Sequence, residues 1–310
     1  MNIQPDLRPA WARWETALVF LVFFIQGAWP VPDPNEPYYL GKAIHHWNPD
    51  WAAGDFFLES ADAHQAFFFT FGWLSLWLSP PVFAWAGRFA TWWLMAWSWR
   101  RLSFAVIPRA GWAVLTAAMF VCLLDRFHMA GEWVIGGVEG KSFAYGFVFL
   151  GLEALARGRW NRCFILLGIA SSLHVLVGGW SVVAAAVAWW TSGPRRPSLR
   201  SILPGLTIGG LLALPGLLPV LLLDFGADSA TVRAAHKIYV YVRLGHHLAL
   251  WLIPWQFIAR FVALSVSWFV LWRFTKSRCG ENLARMNGFV LAALGIAMVG
   301  ALLTPLELVD

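Results

Sequence analysis

The sequence predicts an all-α membrane protein, a polytopic transmembrane helical bundle of about eight or nine spans with short interfacial helices in its outer loops. Three observations predict it. The 310 residues are 59% hydrophobic and 13% charged, with a mean hydropathy of +0.60, a balance that soluble domains do not show. The charges are bunched between uncharged runs of about 15 to 25 residues, the helical length that crosses a hydrocarbon core roughly 30 Å thick. Lysines and arginines cluster at the ends of these runs, where topology explains them. The net charge of +6 and the pI near 9.6 are therefore an orientation signal and argue against a nucleic-acid partner. Cys122, Cys163 and Cys279 are isolated from one another, so neither a disulfide framework nor a CxxC metal site is indicated.

Element by element, Arg8 and Arg13 precede the apolar stretch 16–31, and no small-residue cleavage site follows. The first span is thus uncleaved and starts in the cytoplasm. An outer loop follows, carrying Asp33, Glu36, Asp50, Asp55, Glu59 and Asp62. Two full spans over 65–79 and 82–99 would strand Arg100 and Arg101 outside. The positive-inside rule favours one short, partly embedded helix and then one true span. Residues 111–124 run outward to a second acidic loop with Asp125, Glu132 and Glu139, and 142–156 return to Arg157, Arg159 and Arg162. Basic clusters flank 163–190 on both sides, so that stretch is expected as a hairpin of two short helices bending near His174, packed in protein. Residues 202–223 exit, 251–272 re-enter, and 287–303 exit again. The chain then stops in an outer loop, which leads us to expect that the natural protein continues past Asp310. With this topology thirteen of the 17 carboxylates and seven of the eight histidines fall on the outer side. Ionisable chemistry is concentrated there.

Candidate chemistry begins with Asp33-Pro34-Asn35-Glu36-Pro37-Tyr38-Tyr39, directly after the first span. Prolines stiffen the backbone, and two carboxylates three residues apart suit deprotonation of an acceptor or a hold on a divalent cation. The same residues also suit a helix start, with Asp33 or Asn35 as cap and Pro37 in the first turn. In the second loop, Gly136-Gly137-Val138-Glu139-Gly140-Lys141 precedes a helix expected from Ser142, a place where a phosphate can dock. The alternative is a flexible loop with Glu139 and Lys141 as an exposed ion pair. In the third, Arg243 offers a bidentate grip on phosphate and His246 and His247 add donors; a lipid-facing basic patch explains them equally well. His45 and His46 carry only a weak metal signal, and the 22 tryptophans read as interfacial anchors. Arg88 and Arg260 lie inside predicted spans and must snorkel or pair with carboxylates.

These features together, a first span, a loop opening D-x-x-E-x-x-Y at Asp33, Glu36 and Tyr39, a second acidic loop with Glu132 and Glu139, and a short hairpin with His174, resemble the GT-C superfamily. Its members are polytopic glycosyltransferases that use lipid-phosphate-linked sugars. The blocks NEPYYLGKA, GDFFLESADAH, GGVEGKSFAY, HVLVGGW and RLGHH resemble more closely a group of bacterial multi-pass membrane proteins of unassigned activity. That second likeness runs over nearly the whole chain. The likeness to enzymes of established activity covers about 10–190, with the spans of about 200–310 beyond it, all within one transmembrane domain over 1–310. The resemblance implies a bacterial inner (cytoplasmic) membrane enzyme with a cytoplasmic N-terminus. It would transfer a sugar, with inversion, from a polyprenyl-phosphate-linked donor to an acceptor on the extracytoplasmic side. Asp33 or Glu36 would be general base or metal-binding acid, and Arg243 with Lys141 would face the donor phosphate. Tyr39, Glu132, Glu139, His174, His246 and His247 complete the expected substrate site. A divalent cation (Mg or Mn) held by Asp33, Glu36 and Glu139 is left open, because no D-x-D pair is present. Two other readings stay open: a transporter or flippase for an amphipathic anionic lipid or sugar-phosphate, and an inactive GT-C-like scaffold.

Overall fold

A computed structural model describes residues 9–129 and 133–303, and among them every regular element is helical. In chain order these are α1 (Pro9–Gly27), α2 (Glu36–Trp47), α3 (Phe56–Glu59), α4 (Gln65–Thr70), α5 (Pro80–Val106), α6 (Trp112–Phe127) and α7 (Gly140–Ala156). Then come α8 (Trp160–Leu173), α9 (Val175–Thr191), α10 (Leu199–Leu222), α11 (Ser229–Lys237), α12 (Gly245–Leu248), α13 (Trp255–Thr275) and α14 (Glu281–Leu303). A π-helical stretch over Ile238–Arg243 joins α11 to α12. Three helices are long and apolar enough to cross a bilayer: α10, α13 extended through Arg278, and α14. Helix α9 is a shorter apolar helix. Among the described residues, length and composition single out those three of the expected eight or nine spans. Glu15 and Arg88 sit within α1 and α5, and α8 has 14 residues, about 21 Å at 1.5 Å per residue.

The expected short helix is present as α4 with a 3-10 turn over Gly72–Leu76, and Pro80 and Pro81 open α5, the helix at the place of the expected span. Proline suits that position because the first-turn amide it lacks has no intrahelical acceptor. The expected hairpin is present as α8 and α9, broken at His174. Helix α8 lies between α7, α9 and α10, against which glycines permit close approach. A Cβ on Gly205 would lie 2.4 Å from Asn161 Cα, and one on Gly209 2.4 Å from the Phe164 carbonyl oxygen. Such small-residue seams bring helix backbones together where lipid offers no hydrophobic drive.

Polar contacts gather at the two ends of the bundle. At one end Glu15 accepts from Arg100 Nε (3.1 Å) and the Gly111 amide (2.8 Å), tying the start of α1 to the end of α5 and the start of α6. Glu153 there takes Arg157 (2.6 Å) and Arg101 (3.4 Å), and Asn282 donates to the Ala105 carbonyl (3.1 Å). This is the arginine-rich end. At the other end Gln26 donates to Asp125 (2.8 Å), joining the end of α1 to the end of α6. The two acidic loops meet at that second end.

Candidate functional site

The first loop closes on itself before it meets anything else. The Asp33 amide donates to Glu36 Oε2 (2.8 Å) and the Glu36 amide donates to the Asp33 carbonyl (3.0 Å), so Pro34 and Asn35 are held in a turn that launches α2. Pro37 stands in the first turn of α2 as expected, but Asn35 makes no side-chain cap. Its amide crosses instead to the second loop, donating to Glu139 Oε1 at 2.8 Å.

Glu36 is fully buried, and so is Arg88 from α5. Arg88 donates from Nε to Oε1 (2.6 Å) and from Nη2 to Oε2 (2.7 Å), and its Nη1 donates to the Trp29 carbonyl. The Val138 amide adds a bond to Oε1 at 3.0 Å. Four donors thus saturate one carboxylate, which is what keeps a buried ion pair from costing more in desolvation than it returns. Of the two carboxylates expected as base or metal-binding acid, Asp33 or Glu36, the oxygens of Glu36 are committed to holding the two loops and α5 together. Arg88 satisfies the sequence requirement that a charge inside an apolar helix find a carboxylate.

The second loop packs on the first through Gly137, where a Cβ would lie 2.7 Å from Asp33 Cβ and 2.9 Å from Glu36 Cγ. Glu139 then caps α7, which starts at Gly140 instead of Ser142, in a reciprocal box with Ser142. Lys141 Nζ lies 3.8 Å from Glu139 Oε2 and 4.4 Å from the centre of the Trp133 ring. The pair expected to be exposed is therefore buried, with 8% and 1% of the two side chains accessible. On its other flank the second loop lines a cavity of about 220 Å³ with Gln26, Asp125 and Trp133 in its wall.

A third group adjoins these. Lys42, one and a half turns into α2, donates to the Ser60 carbonyl (2.8 Å) and hydroxyl (3.0 Å) and pairs with Asp62 at 3.4 Å. Asp62 in turn accepts from the His64 amide at 2.7 Å. The His64 ring stands between Tyr39 (centroids 4.8 Å apart) and His174 (6.0 Å). His174 occupies the break between α8 and α9 and its Nδ1 accepts from the Val177 amide at 3.3 Å. The hairpin turn is brought here by α7: a Cβ on Gly140 would sit 2.5 Å from the Leu173 carbonyl oxygen.

Burial is the first cause of both acid–base shifts within this site. Asp33, half-buried, has its pKa raised, first by loss of hydration and then by the Glu36 charge, against hydrogen bonds from Asn35 and Gly137 and the pull of Arg88. The His64 pKa is lowered, first by burial, with Asp62 opposing and Lys42 reinforcing the shift. Its Nε2 is buried and has no hydrogen-bond partner among the described residues.

Of the residues singled out in the sequence, Asp33, Glu36, Tyr39, Glu139, Lys141 and His174 are thus gathered at one end of the bundle. The third outer segment is not joined to them by any described ion pair or hydrogen bond of Arg243. That guanidinium is exposed and lies over the Tyr239 ring, 6.0 Å from its centre. His246 and His247 follow it on α12, ring to ring at 3.8 Å. Glu132 lies outside the described residues. The expected cation set is not assembled either: among the described residues no three His, Cys, Asp or Glu side chains are placed to hold a metal ion. The donor chemistry agrees, since Glu36 faces Arg88, and Glu139 faces Asn35 and Lys141. Lys42, Asp62 and His64 adjoin the site although sequence reasoning gave them no site role, and Asn35, expected only as a cap, links the two loops. All four lie in the blocks NEPYYLGKA and GDFFLESADAH. No family model, no curated protein and no solved structure matches the chain.

Proposed function

We propose that the chain is a multi-pass glycosyltransferase of the bacterial inner membrane. It moves a sugar, with inversion, from a polyprenyl-phosphate-linked donor to an acceptor on the extracytoplasmic side. The observation that carries this reading is the joining of the two acidic loops by Asn35–Glu139 and Val138–Glu36 bonds beside a histidine-bearing hairpin turn. In the proposal, Asp33 is the base. A carboxylate with a raised pKa is a stronger proton acceptor, and Asp33 is not locked in an ion pair as Glu36 is. It takes the proton of the acceptor hydroxyl as that oxygen attacks the anomeric carbon, while the bond from that carbon to phosphate oxygen breaks and polyprenyl phosphate departs. Lys141 supplies positive charge to the departing phosphate, and Tyr39, His64 and His174 shape the acceptor side. No step is assigned to a metal, and Arg243 has no part in it. We also propose that the shorter helices complete eight or nine spans as a protein-packed bundle around α8.

The test is release of polyprenyl phosphate by purified protein in lipid nanodiscs, supplied with a panel of polyprenyl-phosphate sugars and sugar acceptors. Turnover with at least one donor, reduced about 10²- to 10⁴-fold by Asp33→Asn at unchanged helicity, is the expected result. Absence of turnover with every donor, or an Asp33→Asn variant as active as the parent, overturns it. The transport reading needs a second broken helix pair, and among the described residues the break at His174 has no counterpart.

A further inference from the structure

The arginine-rich end holds an open cavity of about 600 Å³ between the start of α8, the turn before α10 and the start of α14. Four arginines, Arg159, Arg162, Arg196 and Arg285, line it, with no carboxylate among the lining residues. Their neighbours at this end are neutralised: Arg100 by Glu15, and Arg101 and Arg157 by Glu153. Arg285 is bound to the Ala156 carbonyl (3.0 Å) and to Glu281 (3.2 Å). Arg196 lies over Trp189 and reaches only the Trp190 carbonyl (3.3 Å). The Arg159 and Arg162 side chains have no hydrogen bond or ion pair among the described residues.

The walls of this cavity are fixed rather than loose. Trp160 is buried, and Asn161 locks α8 to α10 by donating to the Ser201 carbonyl (2.9 Å) and accepting from the Gly205 amide (2.8 Å). The guanidinium-bearing segments are therefore held at a set spacing before any ligand arrives. Three guanidiniums without carboxylates around one cavity repel one another, and a multiply charged anion relieves that repulsion while meeting their paired N–H groups.

We infer that this cavity is a binding site for a phosphate-bearing anion, distinct from the candidate catalytic site at the opposite end. Phosphate is the chemistry that fits, because the guanidinium fork meets two of its oxygens at once. The source is either an anionic phospholipid headgroup of the adjoining leaflet or a soluble phosphate.

Native mass spectrometry of the full chain, released from neutral detergent, tests this with two probes, phosphatidylglycerol and inorganic pyrophosphate, and with phosphatidylcholine as the uncharged comparison. The variant is Arg159→Gln/Arg162→Gln, backed by Arg159→Gln alone. Neither side chain holds another part of the fold, so helicity is expected to be unchanged. Arg273→Gln, an exposed arginine outside the cavity, serves as control. The expected result is retention of a charged probe over phosphatidylcholine, weakened about tenfold or more in the double variant and unchanged in the control. Retention of phosphatidylglycerol alone identifies a lipid headgroup, and retention of pyrophosphate alone a soluble phosphate. Equal retention by parent and double variant, or equal loss in the Arg273→Gln control, overturns the proposal.

Discussion

At the scale of single residues, Glu36 and Arg88 carry the sharpest consequence. Replacing Arg88 by Met leaves a buried carboxylate with two backbone amides and no counter-charge. We expect a loss of about 3–5 kcal/mol of stability, the cost typical of halving a buried pair. Adding Glu36→Gln to that variant removes the stranded charge and restores more than half of the loss, read by thermal unfolding in detergent. His64 gives a pH-dependent expectation. Its folded pKa lies below the ordinary 6.5, so its contribution to stability is complete above 6.5 and is lost as pH falls through the folded value. Unfolding temperature should drop on acidification below about pH 6.5, and His64→Gln should flatten that drop. Asp33 acts in the opposite sense. Its raised pKa makes its contribution complete at low pH and lost as pH rises through the folded value, so Asp33→Asn should gain stability relative to the parent as pH rises from acid to neutral. If Asp33→Asn is equally displaced at both ends of that range, burial is not what governs the group.

At the scale of elements, the junction of the two outer loops depends on the missing side chain at Gly137. Gly137→Ala places a methyl against Asp33 Cβ and Glu36 Cγ, both within 3 Å and neither free to move away. Overpacking of this kind costs about 1–3 kcal/mol, and here it also parts the loops. The proposed transfer activity should therefore fall further than the stability loss explains, which comparison of initial rates with the folded fraction will show. Legibility at this scale was uneven. Pro80-Pro81, the basic clusters of 157–200 and the ends of the apolar runs marked where most of the longer helices begin and end. The start of α7 lies two residues before the expected Ser142, because Glu139 caps the helix in a reciprocal box with Ser142. Asn35, expected as a local cap, was drawn to a partner 104 residues away.

At the scale of the whole molecule, the two polar ends offer a test of the proposed sidedness. In a variant lacking the native cysteines, Asp50→Cys should react with a membrane-impermeant thiol reagent applied to intact cells. Arg200→Cys should react only after permeabilisation. Both residues are exposed and belong to opposite ends of the bundle. Labelling of both from the same side would remove the basis for one extracytoplasmic site. The convergence of Asp33, Glu139 and His174 is consistent with opposite ends, since the N-terminal helix leaves the arginine-rich end and reaches the acidic one.

Composition, hydropathy and the spacing of basic clusters determined without coordinates that this chain is helical, belongs with apolar surroundings and gathers its ionisable groups between helices. These are sums over residues, and each depends only on transfer from water and on the rise per residue. Which carboxylate is locked in an ion pair and which is not was decided only by tertiary structure. Glu36 and Asp33 are alike in the sequence, but one is paired with Arg88 from a helix more than 50 residues away, and the other is half-buried and accepts only backbone amides. The same holds for the arginines: Arg157 and Arg162 stand in one basic run, yet Glu153 neutralises the first and a cavity faces the second. A charge's role is set by its partners in space, and a side chain's own chemistry does not specify them.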